Sequence, residues 1–258
     1  MKNNLLIATF ISTALIGCTN NDSPQMDESL KVECYSRSSE NSRELVKDFG
    51  MYVFSSSGNS YPGVSNPVHV TYSDGWNFSP VLLKETAQIY TFSPYIETTD
   101  CTSLNISLSN QTDYLASNSS ITANKDNPSV NITMEHILSK INVTIDGSSS
   151  CQVKLLDIPI SATYNLKTNI LTAGSRADLT TNSSSVLICP SASQILKMSI
   201  TYNGKEYEYT EVAKKYEPGK EYTFKLTIND SKELIISGDI TITDWLPAGD
   251  YDGTVNEK

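Results

Sequence analysis

The sequence has few of the residues that most often carry catalysis or bind metals. Its 258 residues include 2 histidines and 5 cysteines, and no two cysteines are spaced as Cys-x-x-Cys. This scarcity argues against histidine-based catalysis, a thiol redox motif and a zinc site. The sequence motifs of nucleotide-binding proteins, zinc proteases and serine hydrolases are also missing. We therefore predict that the protein is not an enzyme and needs no metal or cofactor.

Positive charge is also scarce. The chain has 19 Lys and Arg residues against 29 Asp and Glu residues, which gives a formal net charge of −10. Proteins that bind a phosphate backbone need a basic surface. We therefore expect no nucleic-acid partner.

Long hydrophobic runs are confined to the N-terminus. Lys2 precedes an uncharged, mostly apolar run over residues 5–16. A short positive segment followed by about a dozen apolar residues is typical of a secretory signal and is too short for a lasting transmembrane helix. The sequence therefore predicts an exported protein.

The end of this run carries a more specific signal. The segment Leu15-Ile16-Gly17-Cys18 resembles the bacterial lipobox. This resemblance implies that residues 1–17 are a lipoprotein signal peptide and that the lipid, including palmitate, is attached to Cys18. Outer-membrane lipid would then be one partner of the chain, and the polar residues 18–28 would form a tether.

Four cysteines remain after Cys18. An even number in an exported protein permits two disulfides, with three ways to pair them. The preferred pairing keeps each bridge within one half of the chain and joins Cys34 to Cys101 and Cys151 to Cys189. Buried free thiols are the alternative, and both readings stay open.

The rest of the chain alternates apolar and polar residues with a period of two, which predicts β-strands. The clearest strand segments are residues 49–54, 68–72, 89–93, 104–108, 153–160, 161–166, 186–189, 198–202, 206–210, 222–228 and 234–245. Asn203-Gly204 separates two of them and predicts a tight hairpin. Residues 113–116 favour a short helical turn.

The longest alternating segment ends in a change of phase. Residues 130–138 place Val130, Ile132, Met134, His136 and Leu138 on one face. The next apolar residues follow the opposite parity at positions 141, 143 and 145. A shift of one residue indicates a bulge or a passage from one sheet to another.

This phase change divides the chain into two halves of similar length. We predict an all-β fold with two antiparallel β-sandwich domains in tandem, over residues 29–139 and 140–258. On this interpretation His136 is a packed, hydrogen-bonded core residue and not a catalytic base or a metal ligand.

Several segments resemble the fimbrillin family, and they follow one another in family order. They are Leu45-Val46-Lys47-Asp48-Phe49-Gly50-Met51-Tyr52-Val53, Asp113-Tyr114-Leu115-Ala116-Ser117, Met134-Glu135-His136-Ile137-Leu138-Ser139-Lys140-Ile141-Asn142-Val143, Tyr164-Asn165-Leu166, Leu187-Ile188-Cys189-Pro190, Glu217-Pro218-Gly219-Lys220-Glu221-Tyr222 and Ile242-Thr243-Asp244-Trp245. Together these segments extend over most of the chain after Cys18.

The resemblance implies a function. Fimbrillins are structural and adhesive subunits of type V pili on the cell surface, built from two transthyretin-like sandwiches. They assemble by β-strand addition, after a protease cuts behind an arginine and removes the first strand. The partners implied for this chain are other fimbrillin subunits and a host or glycan receptor.

The removable strand can be placed in this sequence. Leu30, Val32 and Cys34 alternate with polar residues, as an inserted strand requires. They lie just before Arg37 and Arg43, which are the candidate cleavage sites. An edge or core strand that leaves a sandwich exposes backbone groups and an apolar slot.

The donated strand is harder to place. One candidate is the two-part apolar segment with Leu234, Ile236, Ile240, Ile242 and Trp245, which could equally be the last strand of its own domain. Whether the chain is a stalk, tip or anchor subunit therefore stays open.

A second hypothesis is a surface lipoprotein that never polymerises and binds a glycan or host ligand. Tyr61, Trp76 and Tyr95 could stack on sugar rings if they are exposed. Packing in the core or in hairpins is the favoured interpretation of these three aromatic residues.

Overall fold

The computed structural model describes residues 28–39 and 42–245, with the side chains of residues 37–43 left out. The predicted signal peptide, the lipidation site Cys18 and the predicted tether up to residue 27 lie outside the described residues. Glu28, the last residue of the predicted tether, instead belongs to the first strand.

Strands make up all the regular structure in this part of the chain. The first twelve strands are β1 (Glu28–Ser29), β2 (Lys31–Ser39), β3 (Ser42–Leu45), β4 (Asp48–Ser55), β5 (Val68–Tyr72), β6 (Trp76–Asn77), β7 (Leu82–Leu83), β8 (Ala87–Ser93), β9 (Leu104–Ser107), β10 (Leu115–Ser117), β11 (Ile121–Ala123) and β12 (Ser129–His136). The other thirteen are β13 (Ser139–Ile145), β14 (Cys151–Pro159), β15 (Ser161–Asn165), β16 (Ile170–Ala173), β17 (Arg176–Thr180), β18 (Ser185–Ile188), β19 (Ser191–Gln194), β20 (Lys197–Tyr202), β21 (Lys205–Thr210), β22 (Lys214–Tyr216), β23 (Lys220–Ile228), β24 (Leu234–Ile236) and β25 (Thr241–Asp244).

The all-β prediction is confirmed for the described residues. They form no helix, and so none that could cross a membrane. The helical turn predicted over residues 113–116 is wrong, because Leu115 begins β10. Backbone pairing with both β8 and β12 holds this short segment extended, although its local sequence favours a helix.

One large sheet uses only strands that precede residue 137. Its order is β3-β2-β12-β10-β8-β4-β5-β6, and β11 also pairs with β8. The strands after residue 138 form a sheet of order β18-β13-β23, with β24 and β25 both on the outer side of β23, and a sheet of order β17-β14-β20-β21. A smaller sheet of order β16-β15-β9 joins strands from both sides of residue 139.

Among the described strands, pairing is antiparallel except in two places, where the expectation of antiparallel sheets is wrong. β2 runs parallel to β12, and β13 runs parallel to β23. Antiparallel neighbours can be joined by a hairpin, whereas parallel neighbours need a long connection. The partners in each parallel pair accordingly come from distant parts of the sequence.

The phase change between residues 136 and 141 is a passage between sheets. His136 ends β12 in the large sheet, and Ser139 begins β13 in another sheet. Ile137 and Leu138 are both buried between them, so that two consecutive residues face apolar surroundings. The proposed domain boundary at 139/140 falls at this passage and stays a prediction.

The buried apolar residues form three clusters. The N-terminal cluster lies within residues 30–134, and the C-terminal cluster lies within residues 141–234. The middle cluster draws on both halves, from Tyr52 to Trp245. The two halves therefore share buried apolar surface as well as the sheet that contains β9 and β15.

The Asn203-Gly204 hairpin is present as predicted. β20 and β21 pair over their full lengths on either side of it. Asn203 has a φ of 50° and Gly204 a φ of 72°. Positive φ at both central residues is the backbone geometry of a type I′ turn, which Asn-Gly favours.

Candidate strand-addition interface

β2 occupies an internal position in the large sheet. It lies between β12 and β3, parallel to the first and antiparallel to the second. Val32 is paired with Val130, and Cys34 is paired with Ile132. β2 therefore fills a slot that has a paired strand on each side.

The side chains of β2 and of the residue before it alternate between core and solvent. Val32 is 4% exposed and Cys34 is fully buried, whereas Lys31 and Glu33 are exposed. Leu30 is buried in the same N-terminal cluster. Full burial of an aliphatic side chain contributes about 1.5–3 kcal/mol, so these three residues contribute appreciably to the stability of the sheet.

The two arginines predicted as cleavage sites lie opposite each other. Arg37 on β2 pairs with Arg43 on β3 in the backbone register. Both are close to the connection between these strands, and Arg37 lies at the far end of β2 from the buried residues 30–34. A cut behind either arginine would separate β2 from the chain that follows, so both positions are consistent with removal of the strand.

The last strands pair within the same chain. β24 pairs with the end of β23, and β25 pairs with its beginning. We call residues 234–245 the C-terminal arm. The described structure therefore has the arm as the edge of its own sheet, which was one of the two alternatives left open by the sequence.

Much of the apolar surface of this arm faces solvent. Ile235, Ile236 and Ile242 are 45%, 38% and 51% exposed, and Ile240 is half-buried. Leu234 is buried in the C-terminal cluster. An edge strand with exposed isoleucines offers both unpaired backbone groups and apolar surface, which are the two requirements for pairing with another chain.

The end of the arm is fixed by Trp245. Trp245 is 7% exposed, and its ring stacks on the ring of His136, with the centroids 4.0 Å apart and the planes 13° apart. The backbone N–H of Trp245 donates to the carbonyl oxygen of Gly219 over 2.8 Å, and the Lys140 Nζ lies 5.8 Å from the centroid of the Trp245 ring. Trp245 therefore joins the arm to the passage between β12 and β13.

The surroundings of this contact are charged. The Lys140 Nζ lies 3.0 Å from a carboxylate oxygen of Glu221, and Lys220 forms an ion pair with Asp244 of the arm. The hydrogen bond to Asp244 raises the pKa of Lys220 above its ordinary value. The Lys220 pair is largely exposed, so it contributes little to the stability of the arm.

His136 is a packed, hydrogen-bonded residue, as the sequence indicated. Its side chain is 2% exposed, and its Nδ1 lies 2.9 Å from the carboxylate of Asp113. Asp113 was not identified in the sequence as the partner of His136, because its position 23 residues earlier gives no local signal.

The predicted disulfides are not formed. Cys34, Cys101, Cys151 and Cys189 are buried free thiols. Cys34 lies in the N-terminal cluster, Cys151 in the C-terminal cluster, and the other two in the middle cluster. Each predicted bridge would have to join two different clusters, which is why proximity in sequence was a poor guide.

Burial keeps these thiols protonated. Removal from water raises the pKa of Cys189 to about 11 and raises that of Cys34 further. A thiolate is the reactive form of cysteine. The native thiols should therefore react slowly at neutral pH.

The aromatic residues proposed for glycan stacking are mostly engaged in packing. Tyr61 is buried, and its hydroxyl donates to the carbonyl of Glu85 over 2.8 Å. Trp76 makes edge contacts with Phe49 and Tyr72, and Tyr95 stacks on His69. These contacts match the favoured interpretation and leave little free ring surface at the three positions.

Across residues 28–39 and 42–245, no cluster of three or more His, Cys, Asp or Glu side chains could hold a metal ion. His69 pairs with Asp48, with 2.9 Å between Nε2 and the carboxylate. The two histidines thus each have a carboxylate neighbour and lie on separate strands, β5 and β12.

The fold is shared with solved structures of low sequence identity. A candidate cell-adhesion protein of Bacteroides uniformis is 18% identical, with a TM-score of 0.65, and the match covers 84% of this chain and 99% of that one. A candidate cell-adhesion protein of Bacteroides ovatus is 14% identical, with a TM-score of 0.63 and coverage of 85% and 98%. A fimbrial protein of Bacteroides ovatus is 16% identical, with a TM-score of 0.51 and coverage of 78% and 49%.

Sequence comparison places the chain in a family. No curated protein sequence matches it. The model of the fimbrillin-like family matches residues 36–245, which is most of the chain and nearly all of the part that the structure describes. The chain therefore belongs to the fimbrillin-like family.

Proposed function

We propose that this protein is a structural and adhesive subunit of a type V pilus, assembled by β-strand addition. The observation that supports this proposal best is the position of β2. β2 is an internal strand whose side chains are alternately buried and exposed, and no hairpin connects it to its parallel neighbour β12. The fimbrial and adhesion proteins that share the fold support a role at the cell surface.

Export and attachment follow from the N-terminal sequence. Signal peptidase would remove residues 1–17, and the lipid on Cys18 would hold the precursor in the outer membrane. The lipid is attached to the same segment that β2 belongs to. A cut behind Arg37 or Arg43 would therefore release the body of the subunit from its anchor and vacate the slot in one step.

The vacated slot has defined chemistry. Loss of β2 leaves unpaired backbone groups along β12 and uncovers the apolar residues that contacted Val32 and Cys34. Unpaired buried backbone groups are costly. A strand from another subunit that alternates in the same way would restore both the hydrogen bonds and the burial.

The C-terminal arm is the proposed donor. Its strands β24 and β25 are short, and their exposed isoleucines would gain burial in a neighbour's slot. To be donated, the arm must leave β23 and give up the Trp245 stack on His136. The arm would then exchange its edge position beside β23 for an internal position in the sheet of a neighbouring subunit.

Arginine-specific proteolysis tests this proposal. The chain has three arginines, and Arg176 is the third. We expect limited digestion to release the β2 segment and to produce SDS-resistant oligomers. A variant with Arg37→Lys and Arg43→Lys keeps the charge, loses both sites and should stay monomeric.

The control is the single variant Arg176→Lys, which should still oligomerise. Arg176 lies in β17 and pairs with Asp157. A stable, cut monomer that never exchanges strands would overturn the assembly proposal.

The second candidate function is that of a surface lipoprotein that does not polymerise. The pairing of both strands of the arm with β23 favours it, because a monomer that keeps its arm has no donor strand. This alternative predicts no oligomers in the proteolysis experiment.

A further inference from the structure

The slot that β2 occupies has a buried position at every second residue. These positions are each at most 4% exposed and are held by Leu30, Val32, Cys34 and Ser36. Successive side chains of a strand point to opposite faces. A strand that replaces β2 must therefore bring side chains of one parity to these four positions. The first two must be apolar to fill the space of Leu30 and Val32, and none of the four can carry an unpaired charge without a large cost.

The C-terminal arm has one parity that meets this requirement. Its even-numbered residues are Leu234, Ile236, Gly238, Ile240, Ile242 and Asp244. Its odd-numbered residues are Ile235, Ser237, Asp239, Thr241, Thr243 and Trp245. Two apolar residues follow each other on the even-numbered face but nowhere on the odd-numbered face. The even-numbered face of the arm must therefore be the one that enters the slot.

Buried charge then eliminates half of the possible registers. The apolar neighbours on the even-numbered face are residues 234 and 236, and residues 240 and 242. Each pair can fill the first two positions in either chain direction, which gives four registers. In two of them the position of Cys34 receives Asp244 or Lys232, whose charge would be buried without a partner. In the other two registers it receives Gly238.

The two remaining registers differ only in the direction of the arm. An arm parallel to β12 brings residues 234, 236, 238 and 240 to the positions of residues 30, 32, 34 and 36. An antiparallel arm brings residues 242, 240, 238 and 236 to the same positions. In both registers the space left by the Cys34 thiol lies beside the position of Ser36, which receives an isoleucine.

Gly238 is also the place where the arm bends on its own domain. Ile236 lies opposite Leu226 and Ile242 lies opposite Tyr222, so that six residues along the arm match four along β23. Residues 237–240 accommodate this difference of two as a bulge, and Gly238 has a φ of 122°, a backbone conformation open to glycine. An extended strand has negative φ throughout. The bulge must therefore straighten at Gly238 before the arm becomes one strand.

We propose that the arm of a second copy of this chain enters the β2 slot as one continuous strand, with Gly238 at the position of Cys34. This inference rests on the strand-addition function proposed above and adds the register of the donor. Gly238 has two roles in it. It lets the arm change between the bulged and the extended form, and it sets which residues of the arm fill the slot.

Two substitutions at Gly238 test the register. Alanine and aspartate both strain the closed arm, because a φ of 122° disfavours any L side chain. In the slot, alanine is smaller than the thiol that it replaces, whereas aspartate buries a carboxylate. After arginine-specific cleavage, we expect Gly238→Ala to form SDS-resistant oligomers faster than the native chain. Gly238→Asp should form about tenfold fewer or less.

Engineered cysteines on the solvent face give the register and the direction independently. Cys34 lies opposite Ile132 of β12. The proposed register therefore places Ser237 opposite Asn131 if the arm is parallel to β12, and opposite Thr133 if it is antiparallel. Paired strands are about 5 Å apart, which is within reach of a disulfide. Chains with Ser237→Cys and either Asn131→Cys or Thr133→Cys are cleaved, assembled and oxidised with copper phenanthroline.

Mass spectrometry of the linked peptides reads the result. A disulfide between subunits in either chain supports the register and identifies the direction. Ser237→Cys combined with Ser129→Cys is the control, because residue 129 lies two positions from residue 131 and should form no link. A link at residue 129, or no link at residues 131 and 133, would overturn the register.

The outcomes separate this inference from the proposed function. If the cleaved native chain forms no oligomers, strand addition fails and the register fails with it. If the native chain forms oligomers and Gly238→Asp assembles as well as Gly238→Ala, the register alone is overturned and strand addition stands.

Discussion

His136 and Trp245 stack face to face, with 4.0 Å between their ring centroids. His136 is the last residue of β12, and Trp245 is the last residue of the C-terminal arm, directly after β25. This contact closes the arm onto the passage between β12 and β13. In the proposed assembly it is the contact that must break before the arm can be donated.

The first prediction concerns Trp245→Ala. Truncation of a buried tryptophan costs about 3–5 kcal/mol, so we expect the arm to open at a lower free energy than in the native chain. Amide exchange in β25 should become faster. Ile235→Ala is the control, because Ile235 is 45% exposed and its loss should change stability by about 0.5 kcal/mol.

The same two variants distinguish the anchoring of the arm by Trp245 from the donation of the arm to a neighbouring subunit. If the arm is the donor, Trp245→Ala should speed oligomer formation after proteolysis, and Ile235→Ala should not. Equal exchange rates in β25 for the Trp245→Ala variant and the native chain would contradict the anchoring role.

The second prediction concerns the faces of β2. Val32→Asp places a charge in the N-terminal cluster, where burial of an unpaired carboxylate is costly. We expect a loss of about 3 kcal/mol or more in the free energy of unfolding of the uncut chain, measured by urea denaturation. Lys31→Asp introduces the same side chain at an exposed neighbour and should cost less than about 1 kcal/mol. Similar losses in both variants would show that β2 is not an inserted strand.

The third prediction uses Cys34 as a reporter of strand release. The four thiols in the described part of the chain are buried, so an alkylating reagent at pH 7 should label them slowly. After arginine-specific cleavage, Cys34 should be labelled in the released peptide, while Cys101, Cys151 and Cys189 stay protected. The position of the label is read by mass spectrometry. Labelling of all four thiols would indicate general unfolding instead of loss of one strand.

The fourth prediction is a pH dependence. Burial raises the pKa of Cys189 from an ordinary value of 9.0 to about 11, so the folded state favours the protonated thiol. Its contribution to stability is complete below pH 9 and is lost as the pH rises through 11, a total of roughly 2–3 kcal/mol. Cys189→Ala removes this contribution, so the stability difference from the native chain should shrink between pH 8 and 11. A difference that is independent of pH would contradict the assignment.

Local alternation predicts strands well where a strand has one buried face. β4, β5, β8 and β12 lie within two residues of their predicted ends, because their burial follows the apolar pattern. Strands with mostly exposed residues, such as β16, were missed, since they have no alternation to detect.

Partners could not be predicted in the same way. Alternation specifies which face a residue occupies and not which strand lies beside it. The parallel pairing of β2 with β12, the pairing of β9 with β15, and the stack of Trp245 on His136 all join distant segments. For the same reason the cysteine pairing was wrong, although the apolar character of each cysteine position was visible.

Amide hydrogen exchange in β12 is the most direct measurement of strand addition. The peptide that contains residues 129–136 is compared in the intact chain, in the cleaved monomer after removal of the β2 segment, and in the SDS-resistant oligomer. If β2 is replaced by a strand from another subunit, this peptide should exchange slowly in the intact chain, faster in the cleaved monomer, and slowly again in the oligomer. Exchange that stays slow after β2 is removed, or stays fast in the oligomer, would contradict assembly through this slot.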